Sequence, residues 1–369
     1  MVRKGVANVL QIIYSLSYGG IERLAKDIAC GIDKSKFEPM VLGLYGNGPL
    51  RADLEPFGIK CLSFKEKGRI GLELELYNLF RKEHIDIVHV HGSFLLTRSF
   101  IPARMTGAKL IYTEHAVYSL ETKKRLRYLA GFATSYCHGV TTVSQFVKQF
   151  LIDSTRIPDS KVKVIYNGVD LKNFKFSSKK ADVPGLPPLS NNNLLIGIVA
   201  RLSEAKDHNT LLYAWRLVQQ REIRAKLVII GDGELRIILE NKTRELGLTE
   251  SVIFLGNRSD IPAILSRLDL CLLSSQREGL PLTILEYMAM KRPFIATKVG
   301  AIPEIVVHEE NGYLIPPKDP KALADAISLF CSNPGLWAGL AEKARETVEE
   351  SYDIEKIIRS YEDIYEQVL

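Results

Sequence analysis

Several features that mark whole classes of protein are missing from this chain of 369 residues. Its five cysteines are scattered and form no C-x-x-C pair, which disfavours a disulfide framework and favours a reducing cytosol. No apolar run is long enough to cross a bilayer, and the weakly signal-like N-terminus is better interpreted as a first strand. The absence of G-x-S-x-G, Walker A, H-E-x-x-H and D-x-D motifs removes several hydrolase, kinase and metal-diphosphate functions.

The length predicts two domains, and the near-zero mean hydropathy is ordinary for a soluble globular chain. Charge is shared unevenly between them. Residues 1–180 carry 28 Lys and Arg against 16 Asp and Glu, whereas the remainder carries 21 against 27. A basic half beside an acidic half predicts a surface that meets phosphate-bearing partners, and both nucleic acid and an anionic membrane fit that description.

The first half alternates short β-branched runs with helical patterns. Strands are predicted at Val9–Tyr14, Pro39–Leu44, Ile85–Val90, Lys109–Thr113, Gly139–Val143 and Val162–Tyr166. Helices are predicted between them, for example at Ile21–Ile32, Leu72–Glu83 and Ser93–Met105. This alternation predicts an α/β domain with a parallel sheet covered on both faces.

The turn-forming residues 177–193 are predicted to be a linker between a domain at 1–176 and a second one at 194–350. The strand–helix alternation then restarts, with strands at Leu194–Ala200, Lys226–Ile230, Val252–Leu255, Leu270–Leu273 and Phe294–Thr297. The chain is predicted to finish with helices at Pro320–Cys331, Leu336–Glu350 and Ile354–Val368. Two doubly wound domains bind ligands at the carboxyl ends of their strands, so we expect a shared site in the cleft between them.

The strongest motif is a pair of glutamates separated by seven residues. Glu278 is predicted on the loop after the strand Leu270–Leu273, with Gly279 allowing a sharp entry and Pro281 in the first helical turn. Glu286 falls inside an apolar, and therefore buried, helix, where a carboxylate needs hydrogen-bond donors. Sugar hydroxyls would suit the acids, and the N–H groups of the helix start would suit phosphate. An equally weighted alternative makes both glutamates ordinary loop and helix-edge acids.

Glycine turns and cations follow other predicted strands. Gly19 and Gly20 are expected to close the first strand and open a helix, and Gly231 lies in an equivalent turn of the second domain. Arg201 and Lys206 follow the first strand of the second domain and could neutralise a pyrophosphate. Tight turns need glycine in any case, and both cations could be surface residues. The full G-x-G-x-x-G is missing, which disfavours a nicotinamide site.

Three histidines follow or end predicted strands. His115 lies just past one strand, where it could contact a phosphate or a sugar hydroxyl. His89 and His91 alternate along another strand, and His89 is predicted to be a packed core residue. Without carboxylates at ligand spacing, the three make a poor metal site.

A basic stretch follows His115 and has apolar residues between its cations. The cations are Lys123, Lys124, Arg125 and Arg127, and the apolar residues are Leu126, Tyr128, Leu129 and Phe132. The pattern fits a helix on an anionic membrane and, with about equal weight, an ordinary amphipathic surface helix. Nucleic acid is not an expected partner, because no recognisable motif interleaves stacking aromatics with the basic residues.

Taken in order, these motifs resemble one family, the retaining nucleotide-sugar-dependent glycosyltransferases of family 4. The segments that carry the resemblance are Tyr18–Arg23, Thr113–His115, Arg201 with Lys206, Glu278–Glu286, and Gly300–Val306 with Asn311 and Gly312. The resemblance implies the GT-B fold, in which two Rossmann-like domains face each other across a cleft. It also implies that the final helix, within residues 351–369, returns to the N-terminal domain.

The resemblance implies roles for individual residues. Glu286 would bind the ribose, Glu278 the donor sugar, and Arg201 with Lys206 the departing diphosphate. His115 would touch the transferred sugar or its acceptor side. The remaining donor-binding positions would be Gly19, Gly20, Gly231, Gly279, Leu280, Leu282 and Thr283. The family needs no bound metal, which agrees with the missing D-x-D. The loop reads Glu-Gly-Leu-Pro-Leu, without the aromatic residue or second glycine of many members, which bears on donor-sugar identity.

The expected function is transfer of a sugar from a UDP-sugar to a polysaccharide or lipid-linked glycan, in the cytoplasm at the inner face of the membrane. Two alternatives stay open at this point. One is a sugar-nucleotide epimerase of similar fold, and the other is an inactive GT-B subunit that only binds.

Overall fold

The computed structural model describes residues 5–64, 71–178, 180–188 and 194–369. The chain divides into two compact units. The first unit combines Met1–Gly168 with Ile354–Leu369, and the second is Val169–Asp353.

The described part of the first unit is built on a seven-stranded parallel sheet with the order β3-β2-β1-β4-β5-β6-β7. The strands are β1 Ala7–Ile13, β2 Phe37–Gly43, β3 Lys60–Ser63, β4 Ile87–His91, β5 Lys109–Glu114, β6 Gly139–Thr142 and β7 Val162–Val164. The helices are α1 Gly20–Gly31, α2 Leu50–Leu54, α3 Leu72–Lys82, α4 Ser93–Thr106, α5 Tyr118–Thr122, α6 Lys124–Thr134 and α7 Gln145–Thr155. The strand order reverses between β1 and β4, the position at which such sheets bind ligands.

The second unit repeats this plan with six parallel strands among its described residues, in the order β10-β9-β8-β11-β12-β13. The strands are β8 Leu194–Val199, β9 Ala225–Ile230, β10 Val252–Gly256, β11 Leu270–Leu273, β12 Phe294–Thr297 and β13 Tyr313–Ile315. The helices are α8 His208–Gln220, α9 Arg236–Glu245, α10 Ile261–Arg267, α11 Leu282–Ala289, α12 Ile302–Ile305, α13 Pro320–Ser332 and α14 Pro334–Ser351. Its reversal point lies between β8 and β11.

The final helix α15, Ile354–Val368, packs on the first unit. Its apolar stripe, which includes Ile358 and Tyr361, joins a buried cluster with Val9, Leu24 and Ile111. The predicted fold class, two doubly wound Rossmann-like domains with a C-terminal helix returning to the first, is therefore confirmed. No helix within the described ranges is both long and apolar enough to span a bilayer.

Some predicted boundaries were wrong. The strands Lys60–Ser63 and Tyr313–Ile315 were not predicted, because both are edge strands of only four and three residues, too short to show a periodic pattern. The first strand ends at Ile13, and a loop separates it from α1, so Gly19 and Gly20 do not close the strand. The predicted basic helix is broken at Lys123, which separates α5 from α6.

The second unit begins before the predicted linker. Val169 N–H donates to the Tyr352 carbonyl, and Arg345 donates to the Phe174 carbonyl, both within the second unit. Part of the predicted linker 177–193 also packs there, because Arg267 donates to the carbonyl oxygens of Ala181 and Pro187. Residue 179 and residues 189–193 of that segment lie outside the described residues.

Candidate active site

The helix that carries Glu286 is buried as the sequence predicted. Residues Ile284–Ala289 of α11 are all buried, and Glu286 is only 2% exposed. Pro281 was predicted in the first turn but precedes the helix with extended backbone, so the first helical residue is Leu282. The N–H groups of the first turn, including that of Thr283, therefore begin directly after the loop that carries Glu278 and Gly279.

Hydrogen bonds hold the start of α11 at the carboxyl ends of two strands. Thr283 Oγ1 donates to the Val199 carbonyl oxygen over 3.2 Å. The buried Tyr287 hydroxyl accepts from Val199 N–H at 2.9 Å and donates to the Leu272 carbonyl oxygen at 3.1 Å. Because Val199 ends β8 and Leu272 lies in β11, these bonds place the helix start at the reversal point of the sheet.

Glu278 and Lys206 are 72 positions apart in the chain but form an ion pair in the second unit. The Glu278 side chain is 9% exposed and also accepts a hydrogen bond from Ser275 Oγ at 2.6 Å. The backbone carbonyl of Lys206 accepts from Ser274 Oγ at 2.9 Å, so the loop after β8 is tied to the loop after β11. The two serines were not predicted as site residues, although both directly follow the predicted strand Leu270–Leu273.

Gly300 allows the Glu278 loop to adopt this position. Its φ of +54° is in the left-handed region, and a Cβ there would overlap the Glu278 carbonyl oxygen. Only glycine meets both conditions without strain. Gly300 was not predicted to have a role of its own, since nothing in the motif shows that another loop approaches it.

Arg201 pairs with a different acid from Lys206. Its side chain is 74% exposed, and its guanidinium lies 3.2 Å from Glu234 in the glycine turn after β9. Gly231 has a φ of +130°, and a Cβ there would overlap the Ala200 carbonyl oxygen, so this turn packs closely beside Arg201. An exposed ion pair contributes little stability, so Arg201 can exchange Glu234 for a more highly charged anion at small cost.

The glycines of the first unit lie at the start of α1. Gly19 is the N-cap with extended backbone, and Gly20 is the first helical residue. A Cβ on Gly19 would meet the Glu22 carboxylate, which folds back over the cap. An anion that binds this helix start must therefore displace the Glu22 carboxylate or share the helix start with it.

His115 lies at the carboxyl end of β5 and forms part of a buried polar network. Its Nε2 lies 3.0 Å from His91 Nδ1, and His91 Nε2 lies 2.8 Å from Gln11 Oε1. Burial lowers the pKa of His115 to about 3 and holds that of His91 well below its usual value. His89 is fully buried in the core, as predicted. No cluster of potential metal ligands occurs within the described ranges.

Because these histidines are buried and neutral, we expect acid to lower the free energy of unfolding of the first unit. Burial lowers the pKa of both His89 and His115 to about 3, whereas an unfolded histidine titrates near 6.5. Their stabilising contribution is therefore complete above about pH 6.5 and is lost as the pH falls towards 3. At pH 5 the free energy of unfolding should drop by about 2 kcal/mol for each such histidine.

Urea unfolding at pH 7 and pH 5 checks this prediction with an internal control. Both tryptophans, Trp215 and Trp337, lie in the second unit, so their fluorescence follows that unit while circular dichroism follows both. The second unit has one comparable histidine, His208, whose pKa burial lowers to about 4. Equal losses by the two probes would contradict the prediction.

The cations of the predicted basic stretch lie at the start of α6. Lys123, Lys124 and Arg125 are exposed, whereas Arg127 turns inward and donates to the Leu120 carbonyl oxygen at 3.1 Å. Large apolar side chains lie exposed on the same helix, namely Tyr128 (78% exposed), Leu129 and Phe132. Three of the four predicted cations are thus presented to solvent together with an apolar surface.

The chain contains two Rossmann-like units, and the second has a Glu–Lys pair near a helix start that suits an anion. These features are typical of transferases that act on nucleotide-linked groups. Comparison with known families agrees. Residues 18–173 match the model described as Glycosyltransferase Family 4, and residues 187–348 match the model described as Glycosyl transferases group 1. The chain belongs to glycosyltransferase family 4 and is a glycosyltransferase.

Individual relatives cover most of the chain. It is 28% identical over 308 residues to N-acetyl-alpha-D-glucosaminyl L-malate synthase of Bacillus anthracis, covering 81% of this chain and 79% of that one. It is 28% identical over 302 residues to UDP-Gal:alpha-D-GlcNAc-diphosphoundecaprenol alpha-1,3-galactosyltransferase of Escherichia coli, covering 79% and 78%. The solved structure of Anabaena Alr3699/HepE with UDP-glucose is similar in fold, with a TM-score of 0.86, 23% identity and coverage of 98% and 99%.

Proposed function

We propose that the enzyme transfers a sugar from a UDP-sugar to a glycan or lipid-linked acceptor, with retention of anomeric configuration and without a resident metal. The observation that carries the proposal is the Glu278–Lys206 pair on the loop before α11, the helix that contains the buried Glu286. A cation, a carboxylate and a row of backbone N–H groups suit the three parts of a nucleotide sugar.

The donor-side roles follow from this placement. Lys206 and the N–H groups of Leu280, Leu282 and Thr283 would stabilise the departing diphosphate, and Arg201 would add a second cation after leaving Glu234. Glu278 would accept from the donor sugar hydroxyls, and Glu286 from the ribose hydroxyls. In this proposal the cations and the helix start supply the charge that a divalent metal supplies in other transferases.

The proposed reaction balances without an added acid or base from the protein. The bond between the anomeric carbon and the phosphate oxygen breaks, and its electron pair stays on the diphosphate. The acceptor oxygen bonds to the anomeric carbon on the same face, and its proton passes to the departing phosphate oxygen. Charge therefore develops on the diphosphate, where each well-placed donor contributes roughly 3–4 kcal/mol to the transition state.

The named relatives support the donor and acceptor classes. The Escherichia coli relative uses UDP-galactose and a diphosphoundecaprenol-linked sugar, as its name states. A relative from Staphylococcus aureus is named as a capsular polysaccharide biosynthesis glycosyltransferase, with 24% identity over 308 residues.

A thermal-shift screen of UDP-, GDP- and ADP-sugars tests the donor. The true donor should stabilise the protein by about 2–3 kcal/mol at a hundred times its dissociation constant, and EDTA should leave transfer unchanged. Binding without turnover at any acceptor would favour an inactive binding subunit. An inverted linkage in the product, seen by NMR, would refute the retaining mechanism.

We also propose that the first unit docks on the anionic, cytoplasmic face of a membrane. Lys123, Lys124 and Arg125 would contact the headgroups while Tyr128 and Phe132 enter the interface, where aromatic rings are favoured. The exposed cations beside exposed rings support this occupant, because an anionic lipid surface complements both. Such docking would bring the enzyme to a lipid-linked acceptor.

Replacing both Lys124 and Arg125 with alanine should weaken binding to vesicles that contain phosphatidylglycerol by roughly 30-fold, since each cation near an anionic surface contributes about 1 kcal/mol. Vesicle co-sedimentation measures the effect, with neutral phosphatidylcholine vesicles for comparison. Lys321→Ala, which removes an exposed cation from the second unit, is the control. Equal binding of the double variant and the wild type would rule out this surface.

A further inference from the structure

The Glu278 carboxylate has a cation and a hydroxyl as partners, and both reach the same oxygen atom. The Lys206 ammonium group donates to Oε1, and the Ser275 hydroxyl donates to that oxygen over 2.6 Å. Among the residues that the structure describes, none forms a hydrogen bond with Oε2. Oε2 is therefore the oxygen that is left to accept from a ligand.

The protein holds these two partners with different firmness. Lys206 has a long, flexible side chain that is 21% exposed. Ser275 is fully buried, and its carbonyl oxygen accepts from Thr297 Oγ1, at the end of β12, over 2.6 Å. The N–H of the next residue, Gln276, donates to the Ala205 carbonyl oxygen at 2.8 Å. The backbone around Ser275 is thus tied to two neighbouring segments, and its short side chain has little freedom to move.

The two partners would separate during the proposed reaction. A diphosphate carries more negative charge than one carboxylate, so a bound nucleotide sugar would draw the Lys206 ammonium group away from Glu278. Glu278 has to accept from the sugar hydroxyls at the same time. Of the two donors on Oε1, Ser275 is the one that would then stay in place.

We propose that Ser275 is a positioning residue that keeps Glu278 directed at the donor sugar after Lys206 has moved to the diphosphate. The inference rests on the proposed function, because it needs a diphosphate for Lys206 and a sugar for Glu278. Ser275 itself touches neither group. Without its hydroxyl the carboxylate would rotate about its side-chain bonds, and the sugar would lose an acceptor that is held in position before it binds.

Titration calorimetry with UDP, UDP-glucose and UDP-galactose separates this role from general support of the fold. UDP has the diphosphate that Lys206 would bind but no sugar for Glu278. We expect Ser275→Ala to weaken the better-bound UDP-sugar by roughly 10- to 100-fold, the range for a hydrogen bond to a charged group, and UDP by less than about twofold. Unchanged affinity for the UDP-sugar would overturn the proposal, and so would an equal loss for UDP.

A double-mutant cycle tests whether Ser275 acts through Glu278. In Glu278→Ala the serine hydroxyl has no carboxylate to hold, so adding Ser275→Ala should change the affinity for the UDP-sugar by less than about twofold. The full loss on both backgrounds would show that Ser275 acts by another route, which would contradict the positioning role.

Ser266→Ala is the matched control. Ser266 is another buried serine of the second unit, and its hydroxyl donates to the Ala263 carbonyl oxygen over 2.6 Å. Its removal deletes a hydrogen bond of the same length away from the Glu278 loop, so both affinities should stay at their wild-type values. A loss for the UDP-sugar alone in this variant would remove the support for a specific role of Ser275.

The outcomes distinguish this proposal from the proposed function. If affinity for the UDP-sugar depends on Ser275 but no acceptor receives a sugar, the proposed function fails and the positioning of Glu278 stands. If transfer occurs and Ser275→Ala keeps the wild-type affinity for the UDP-sugar, the proposed function stands and the inference fails. A wild-type protein that binds no UDP-sugar would refute the proposed donor and, with it, the role of Ser275.

Discussion

Replacing Lys206 with methionine should lower kcat for sugar transfer by about 10²–10³-fold, the largest single effect expected for this enzyme. Methionine keeps much of the length of the side chain but removes the charge. The ammonium group is the partner of Glu278 at the start of α11, where we propose that the diphosphate departs. Because the negative charge grows as the bond breaks, the loss should appear mainly in kcat and less in nucleotide affinity.

Lys180→Met is the matched control for this variant. Lys180 also pairs with an acid of the second unit, Asp269 at 3.0 Å, but 45% of its side chain is exposed. An exposed pair contributes little, so activity should stay within about twofold of the wild type. Steady-state kinetics of the two variants, compared at equal folded concentration, would refute the leaving-group role if Lys206→Met retained more than about a third of wild-type kcat.

Replacing Gly300 with alanine should lower kcat/KM by about 10²-fold or more, the second-largest effect. At a φ of +54° an alanine is strained, and its Cβ would overlap the Glu278 carbonyl oxygen. The Glu278 loop would have to move away, and Glu278 would lose its position beside Lys206. The same strain should reduce the free energy of unfolding by about 2–3 kcal/mol.

Gly339→Ala provides the opposite expectation for the same chemical change. Gly339 lies inside α14, and a Cβ there would meet no atom within 4 Å. Alanine is the better helix former, so this variant should be more stable by about 1 kcal/mol with unchanged kinetics. Activity is compared on protein with native circular dichroism, and wild-type kinetics for Gly300→Ala would show that the loop does not depend on this glycine.

The sequence predicted the helices and strands that have a strong apolar period. Burial of Glu286 follows from the apolar residues around it in α11, and burial of His89 from its place in a β-branched strand. The edge strands Lys60–Ser63 and Tyr313–Ile315 could not be predicted, because short strands at a sheet edge need only half-buried faces and leave no clear pattern. The basic stretch was predicted, but not the inward turn of Arg127.

The apolar periodicity and the order of the motifs predicted the two doubly wound domains, the burial of Glu286 and the family, because both are local features of a sequence. Which of the predicted site residues contact one another is seen only in the tertiary structure. Glu278 touches Lys206 because parallel strands that are distant in sequence end at one edge of the sheet. Gln11 meets Tyr365 because the last helix returns to the first sheet. Such contacts depend on the chain topology, which a local sequence pattern does not determine.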